Sequence, residues 1–182
     1  MERIGIDIDG VLRDIMPNIN KVFQTHYPDC VVGEIAYNWD FPQFDMSMEK
    51  KYDIIFNEFP EDIFLHSNPY PDSKKRFDKL KLWAKNNNAK LICVTTQEPH
   101  LICMTYKWLG MHEFDFEEVH ITRDKGGVGL DYLIDDAPHN YENWMSHGNK
   151  ETNFFLVDRD WNQDVNSTRR IKNIDEILGF LK

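Results

Sequence analysis

Apolar and polar positions alternate most clearly at the start of the chain. Ile4, Ile6 and Ile8 are β-branched residues at every second position, the pattern of a buried strand, so Asp7 and Asp9 share the other face as the chain leaves the sheet. Leu12 to Tyr27 has helical patterning, with Pro17 early in it and Tyr27-Pro28 ending it. Asp72 or Ser73 can cap a helix to about Asn86, with Phe77, Leu80 and Leu82-Trp83 on one face. Four more apolar runs read as strands: Ala89–Val94, Glu118–Thr122, Asp131–Ile134 and Asn153–Val157. Helices are expected over Pro99–Leu109 (with Gly110 as the stop), Pro138–Met145 and Ile174–Leu181, the last preceded by a polar loop from Asp158 to Ser167. Strands alternating with helices predict an α/β fold, a three-layer Rossmann-like core whose five-stranded sheet is mostly parallel with right-handed crossovers.

Residues 29–68 break this rhythm. Tyr37, Trp39, Phe41, Phe44, Tyr52, Phe56, Phe59 and Phe64 crowd among short helical patches and prolines. The segment reads as a small helical insertion with its own aromatic core, a cap set after the first strand and helix. The predicted division is a core of residues 1–28 and 69–182 and a cap of residues 29–68.

Composition narrows the function classes. The formal net charge of −10 disfavours general binding to a nucleic-acid backbone, which calls for a basic surface. No apolar run approaches membrane-spanning length. Cys30, Cys93 and Cys103 are odd in number and widely spaced, as expected of thiols in a reducing cytoplasm rather than a disulfide or zinc set. A calcium loop starting at Asp7 would place Asn18, not Glu, at its twelfth position. No G-x-G-x-x-G follows the first strand, and Gly126-Gly127-Val128-Gly129 follows Lys125 instead of preceding a Lys-Ser/Thr pair. The seven histidines have no metal-binding spacing.

What remains is a recurrence. Short polar groups stand just beyond successive strands: Asp7 and Asp9, then Thr95 and Thr96, then Lys125, then Asp135 and Asp136. Parallel α/β sheets place their sites at this edge, near the switch in strand order. The set suits phosphoryl transfer. Asp7 can act as nucleophile, and Asp9 as general acid and then base. Thr95 and Lys125 can hold phosphate oxygens. Asp7, the Asp9 backbone carbonyl, Asp135 and Asp136 can supply hard oxygen ligands for Mg²⁺.

Asp7-Ile8-Asp9-Gly10-Val11-Leu12-Arg13-Asp14, Val94-Thr95-Thr96, Ile121-Thr122-Arg123-Asp124-Lys125 and Leu133-Ile134-Asp135-Asp136 together resemble the four motifs of the haloacid dehalogenase-like (HAD) phosphohydrolases. Within them the chain is most similar to the 5′(3′)-deoxyribonucleotidases, the cytosolic type C 5′-nucleotidases. The resemblance implies Asp7 as nucleophile, Asp9 as acid/base, Thr95, Thr96 and Lys125 at phosphate, and Asp135 and Asp136 at magnesium. It also implies an aromatic wall against a base, formed by Trp39 and its neighbour Phe41. Asp158-Arg159-Asp160-Trp161-Asn162 resembles an Asp-x-Pro-aromatic-Asn loop of bacterial and phage relatives, which offers Arg159 to phosphate or base. The chain departs from deoxynucleotide-preferring relatives at Ala137, where they carry Arg, and in its short Gln97–His100 loop.

The expected function is a Mg²⁺-dependent phosphomonoesterase of the cytoplasm, acting on (deoxy)nucleoside monophosphates through an aspartyl-phosphate. Another small phosphorylated metabolite, a nucleic-acid end, transfer to an alcohol, and a catalytically silent binding role are the alternatives. A homodimer is left open.

Overall fold

The structure, a computed structural model, describes residues 1–33, 39–166 and 169–181. Six strands, β1 (Glu2–Ile6), β2 (Ala89–Thr95), β3 (Glu118–Ile121), β4 (Tyr132–Asp135), β5 (Phe154–Val157) and β6 (Arg170–Ile171), form one sheet in the order β3-β2-β1-β4-β5-β6. Every pairing is parallel. The expectation of five strands missed β6, whose two residues are too few to show an alternating pattern. It is fixed by register against β5, Leu156 facing Arg170 and Val157 facing Ile171.

The five α-helices are α1 (Met16–His26), α2 (Met48–Asp53), α3 (Ser73–Asn86), α4 (Ile102–Met111) and α5 (Pro138–Ser146). Several elements differ from the sequence expectation. Helix α1 starts at Met16 rather than Leu12, with Pro17 in its first turn where a missing N–H costs nothing. Gly110 lies inside α4, which closes at His112. Residues Ile174–Gly179 form a 3₁₀ stretch rather than an α-helix.

The sheet is apolar on both faces. Ile4, Ile6, Leu91, Cys93 and Ile134 pack with α3 and α4 through Phe77, Leu80 and Trp108. Ile92, Val94, Leu133, Phe154 and Leu156 meet Trp144 of α5 on the other face. Successive residues of one strand point to opposite faces, so this sandwich explains the nearly continuous apolar runs.

A separate cluster joins Ile15, Met16, Ile19, Val22 and Phe23 to Phe41, Phe44, Ile54, Ile55, Ile63 and Phe64. Thus α1 packs with the inserted segment, not with the sheet. Between Ile54 and Leu65 the insertion winds into two π-helical turns. Two stretches connect it to the sheet, and they run side by side: Asp14 N–H donates to the Asn68 carbonyl, Tyr70 N–H to that of Leu12. Tyr37 and Ser167 lie outside the described residues.

Candidate active site

The order of the sheet reverses at β1, which has β2 on one side and β4 on the other. The chain leaving β1 must turn sharply there. Asp7 N–H donates to the Ile134 carbonyl, holding the residue beside the end of β4, and the Ile8 carbonyl then accepts from Leu12 and Arg13. Gly10 makes the turn at φ +78°, a left-handed conformation that costs glycine little. The Asp136 carboxylate lies directly over the Gly10 α-carbon, where any Cβ would clash with it.

Lys125 reaches the same point from the loop after β3. Its Nζ lies 3.0 Å from Asp7 Oδ2 and 2.7 Å from Asp135 Oδ2, and all three side chains are buried. The loop is clamped to α5: Asn143 Oδ1 accepts from Gly126 N–H, and Asn143 Nδ2 and His147 Nε2 contact Asp124. Asp135 is further answered by Asn140 Nδ2 on both oxygens and by Ala137 N–H on Oδ1. Asp136 accepts one side-chain hydrogen bond, 2.7 Å from Trp161 Nε1 to Oδ2.

Asp7, Asp135 and Asp136 present oxygens within 4.8 Å of one another. These three carboxylates face one ammonium, an excess of negative charge in a site nearly closed to water. Burial is the main reason the Asp7 carboxyl is pushed up to about 7; Lys125 opposes the rise while Asp135 and Asp9 add to it. Asp136 is raised well above the ordinary range, first by burial and then by Asp135 and Asp7. Burial works against the charge on Lys125, but Asp135 and Asp7 outweigh it and its pKa rises. Asp7 Oδ1 is buried and has no hydrogen-bond partner among the described residues. An orphaned carboxylate oxygen among hard oxygen donors with uncompensated charge fits a divalent cation.

Asp9 is placed differently. Both its oxygens are taken by Arg13, Nε at 2.7 Å and Nη2 at 2.9 Å, and its carboxylate stands outside the Asp7–Asp135–Asp136 group. Arg13 is fully buried, donates to the Phe64 carbonyl of the insertion, and lies over the rings of Phe64 and Trp108. Thr95 closes β2 and is buried, whereas Thr96 is exposed and donates to the Thr122 carbonyl. Trp39 stands edge-on to Trp161, with centroids 6.2 Å apart.

Phe41 and Arg159 both make contacts within the protein. Phe41 is 1% exposed inside the cap cluster, at φ +46°. Arg159 braces the β1 turn by donating to the Gly10 carbonyl at 2.7 Å and stacks on Tyr70 at 4.1 Å. Arg13, Asn140 and Trp161 were not singled out by sequence reasoning. Arg13 did carry a signal, standing four residues after Asp9; the other two depend on tertiary packing. An open cleft of about 640 Å³ between Tyr52, Phe56, Glu98 and His100 contains none of the strand-end aspartates, so the chemistry of the strand ends rather than cavity size locates the site.

This fold, with acidic and basic side chains gathered at the switch point, is that of the HAD hydrolases. A HAD-family protein of Bacillus subtilis, solved bound to magnesium, matches with a TM-score of 0.62 at 11% identity over 99% of this chain and 98% of its own. Residues 1–181 match the family described as 5′ nucleotidase, deoxy (pyrimidine), cytosolic type C protein, and the chain belongs to that family. It is similar to the mitochondrial 5′(3′)-deoxyribonucleotidase of Mus musculus, 27% identical over 147 residues. That match covers 75% of this chain and 64% of the mouse protein, just under two thirds of its length. It is also similar to the 5′(3′)-deoxyribonucleotidase of Clostridium acetobutylicum, 25% identical over 171 residues, covering 87% and 89% of the two chains. Among the described residues no helix is long and apolar enough to cross a membrane.

Proposed function

We propose that the chain is a phosphomonoesterase for nucleoside monophosphates, deoxy ones included, that works through an aspartyl-phosphate on Asp7. The observation that carries this reading is the orphaned, buried Asp7 Oδ1 beside Lys125, Asp135 and Asp136. Asp7 forms the new bond to phosphorus as the ester oxygen leaves, and Asp9 gives that oxygen its proton. Asp9 then takes a proton from the water that attacks the acyl phosphate, which frees Asp7 and inorganic phosphate. Either transfer requires Asp9 to give up at least one of its bonds to Arg13.

Lys125 holds Asp7 in place and offsets charge on the incoming phosphate, Thr95 supplies a hydroxyl at the next strand end, and Thr96 can supply another only by releasing the Thr122 carbonyl. Asp7, Asp135 and Asp136, with the Asp9 carbonyl, would hold Mg²⁺, whose chemistry is to screen the carboxylates from phosphate and stabilise charge at the phosphorus. Trp39 is the cap residue assigned to the base. In domain terms, residues 29–68 act as a cap over the strand ends of a core made by residues 1–28 and 69–182.

The test is phosphate release from a panel of nucleoside monophosphates and generic phosphate esters, with and without Mg²⁺. Turnover that needs Mg²⁺ and disappears in Asp7→Asn is expected. Folded protein that binds Mg²⁺ and releases phosphate from nothing in the panel would refute the hydrolase reading.

A further inference from the structure

The two aspartates after β4 are held by different kinds of donor. Asp135 faces an ammonium, a side-chain amide and a backbone N–H. Among the described residues, the side-chain hydrogen bond to Asp136 comes from the neutral indole N–H of Trp161, with the Lys125 ammonium acting on it only through space. A neutral donor orients a carboxylate without cancelling its charge. With Oδ2 taken by the indole and the Gly10 backbone packed against the group, the Asp136 side chain has little freedom to rotate. Its other oxygen is left to face a cation.

Trp161 is not needed to hold its own loop. Asn162 Nδ2 donates to the carbonyls of Asp136 and Val157, and Arg170 donates to Asn162 Oδ1 and to the carbonyls of Asn162 and Val165. Arg159 ties the loop to Gly10. With the loop fixed by these contacts, the indole N–H is presented to Asp136 from a rigid base.

We propose that Trp161 is a positioning residue for the cation ligand Asp136, setting cation affinity through its indole N–H. The inference rests on the metal reading of the strand-end carboxylates. Partners that orient a metal ligand typically contribute about 10- to 100-fold in metal affinity when removed.

The test is titration of the whole protein with Mg²⁺ or Mn²⁺ alone, by calorimetry, in wild type, Trp161→Phe, Trp161→His and Asp136→Asn. Trp161→Phe keeps a ring and loses the N–H, and should bind the cation about 10- to 100-fold more weakly while remaining folded. Trp161→His restores a ring N–H and should recover part of that loss. In the wild type alone, adding the cation should shift one of the five tryptophan indole N–H resonances. Wild-type affinity in Trp161→Phe, or no indole signal that moves, overturns the inference while leaving the metal reading intact. A wild type that binds no cation, or binds it as Asp136→Asn does, overturns both.

Discussion

At the strand ends, buried charges are set against one another. Lys125 answers Asp7 and Asp135, Asn140 fills Asp135, Trp161 holds Asp136, and Arg13 takes both oxygens of Asp9. In the cap the same degree of burial is achieved with aromatic and aliphatic side chains. Its buried polar groups answer the backbone or one another, as Lys51 does at the carbonyls of Asp40 and Phe41 and Gln43 does at Asn20. The difference is one of tolerance. An apolar cluster absorbs a volume-conserving change at modest cost, whereas a buried charged cluster loses several kcal/mol when one member is removed and its partner is left unpaired. Function should therefore fail abruptly at the strand ends and by degrees in the cap.

The widest gap between the regions is expected at Asp7. Under the proposed mechanism, Asp7→Asn removes the nucleophile and should lower kcat by on the order of 10⁴-fold or more. Fold and melting temperature should hold, because asparagine keeps the shape and relieves charge repulsion. A variant with substantial residual turnover on the ester panel would break the comparison at its centre.

Lys125→Met tests the charge balance while leaving the nucleophile itself in place. It leaves Asp7 and Asp135 facing each other in a dry site and should cost about 3–5 kcal/mol in urea unfolding at neutral pH. The penalty should shrink at pH 5, where Asp7 can take up a proton. An equal penalty at both pH values would show that Lys125 acts by packing alone.

A third effect follows from the raised Asp7 pKa. The unfolded group ionises near its ordinary value of 3.8, and the folded one near 7. Between these values the native state binds the proton and the unfolded state does not, so cation-free stability falls as pH rises through this window. The contribution is fully present below pH 4 and lost above about 7. Melting temperatures measured across this range without divalent cation should show the fall in wild type and a smaller one in Asp7→Asn. Parallel profiles would remove Asp7 as the cause.

The same contrast explains what could be read in the sequence. The site was legible because a parallel sheet delivers each strand's C-terminal residue to one edge. Asp7, Thr95, Lys125 and Asp135-Asp136 follow predicted strands in turn, and the structure brings Asp7, Lys125, Asp135 and Asp136 into contact. The strand β6 carried no pattern because it is two residues long and exists only through its pairing with β5. Within the segment proposed as a cap, the sequence did not tell the aromatic residues apart. Phe41 and Trp39 have the same aromatic character two positions apart, yet only packing decides that Phe41 fills the cap core while Trp39 meets Trp161 at the seam. Arg159 similarly showed no sign in the sequence of the Gly10 carbonyl to which it donates, a contact made only by the folded turn.

The smallest expected effects sharpen the comparison from inside the cap. If Trp39 faces the base, Trp39→Ala should raise KM for nucleoside monophosphates by roughly 10-fold, in line with about 1–3 kcal/mol for a base stacked on an aromatic ring. KM for a generic ester with no base should stay within about two-fold, and stability should change little because Trp39 is only partly buried. Phe41→Leu should do the opposite: it removes ring contacts within the cluster, costs about 1–2 kcal/mol of stability and leaves the nucleotide-to-ester ratio of KM close to wild type. The pair separates recognition from packing across two residues of one turn. Equal changes in KM for nucleotide and ester in Trp39→Ala would mean that the cap holds phosphate or excludes water without touching the base, and would pass the choice of substrate back to the strand ends.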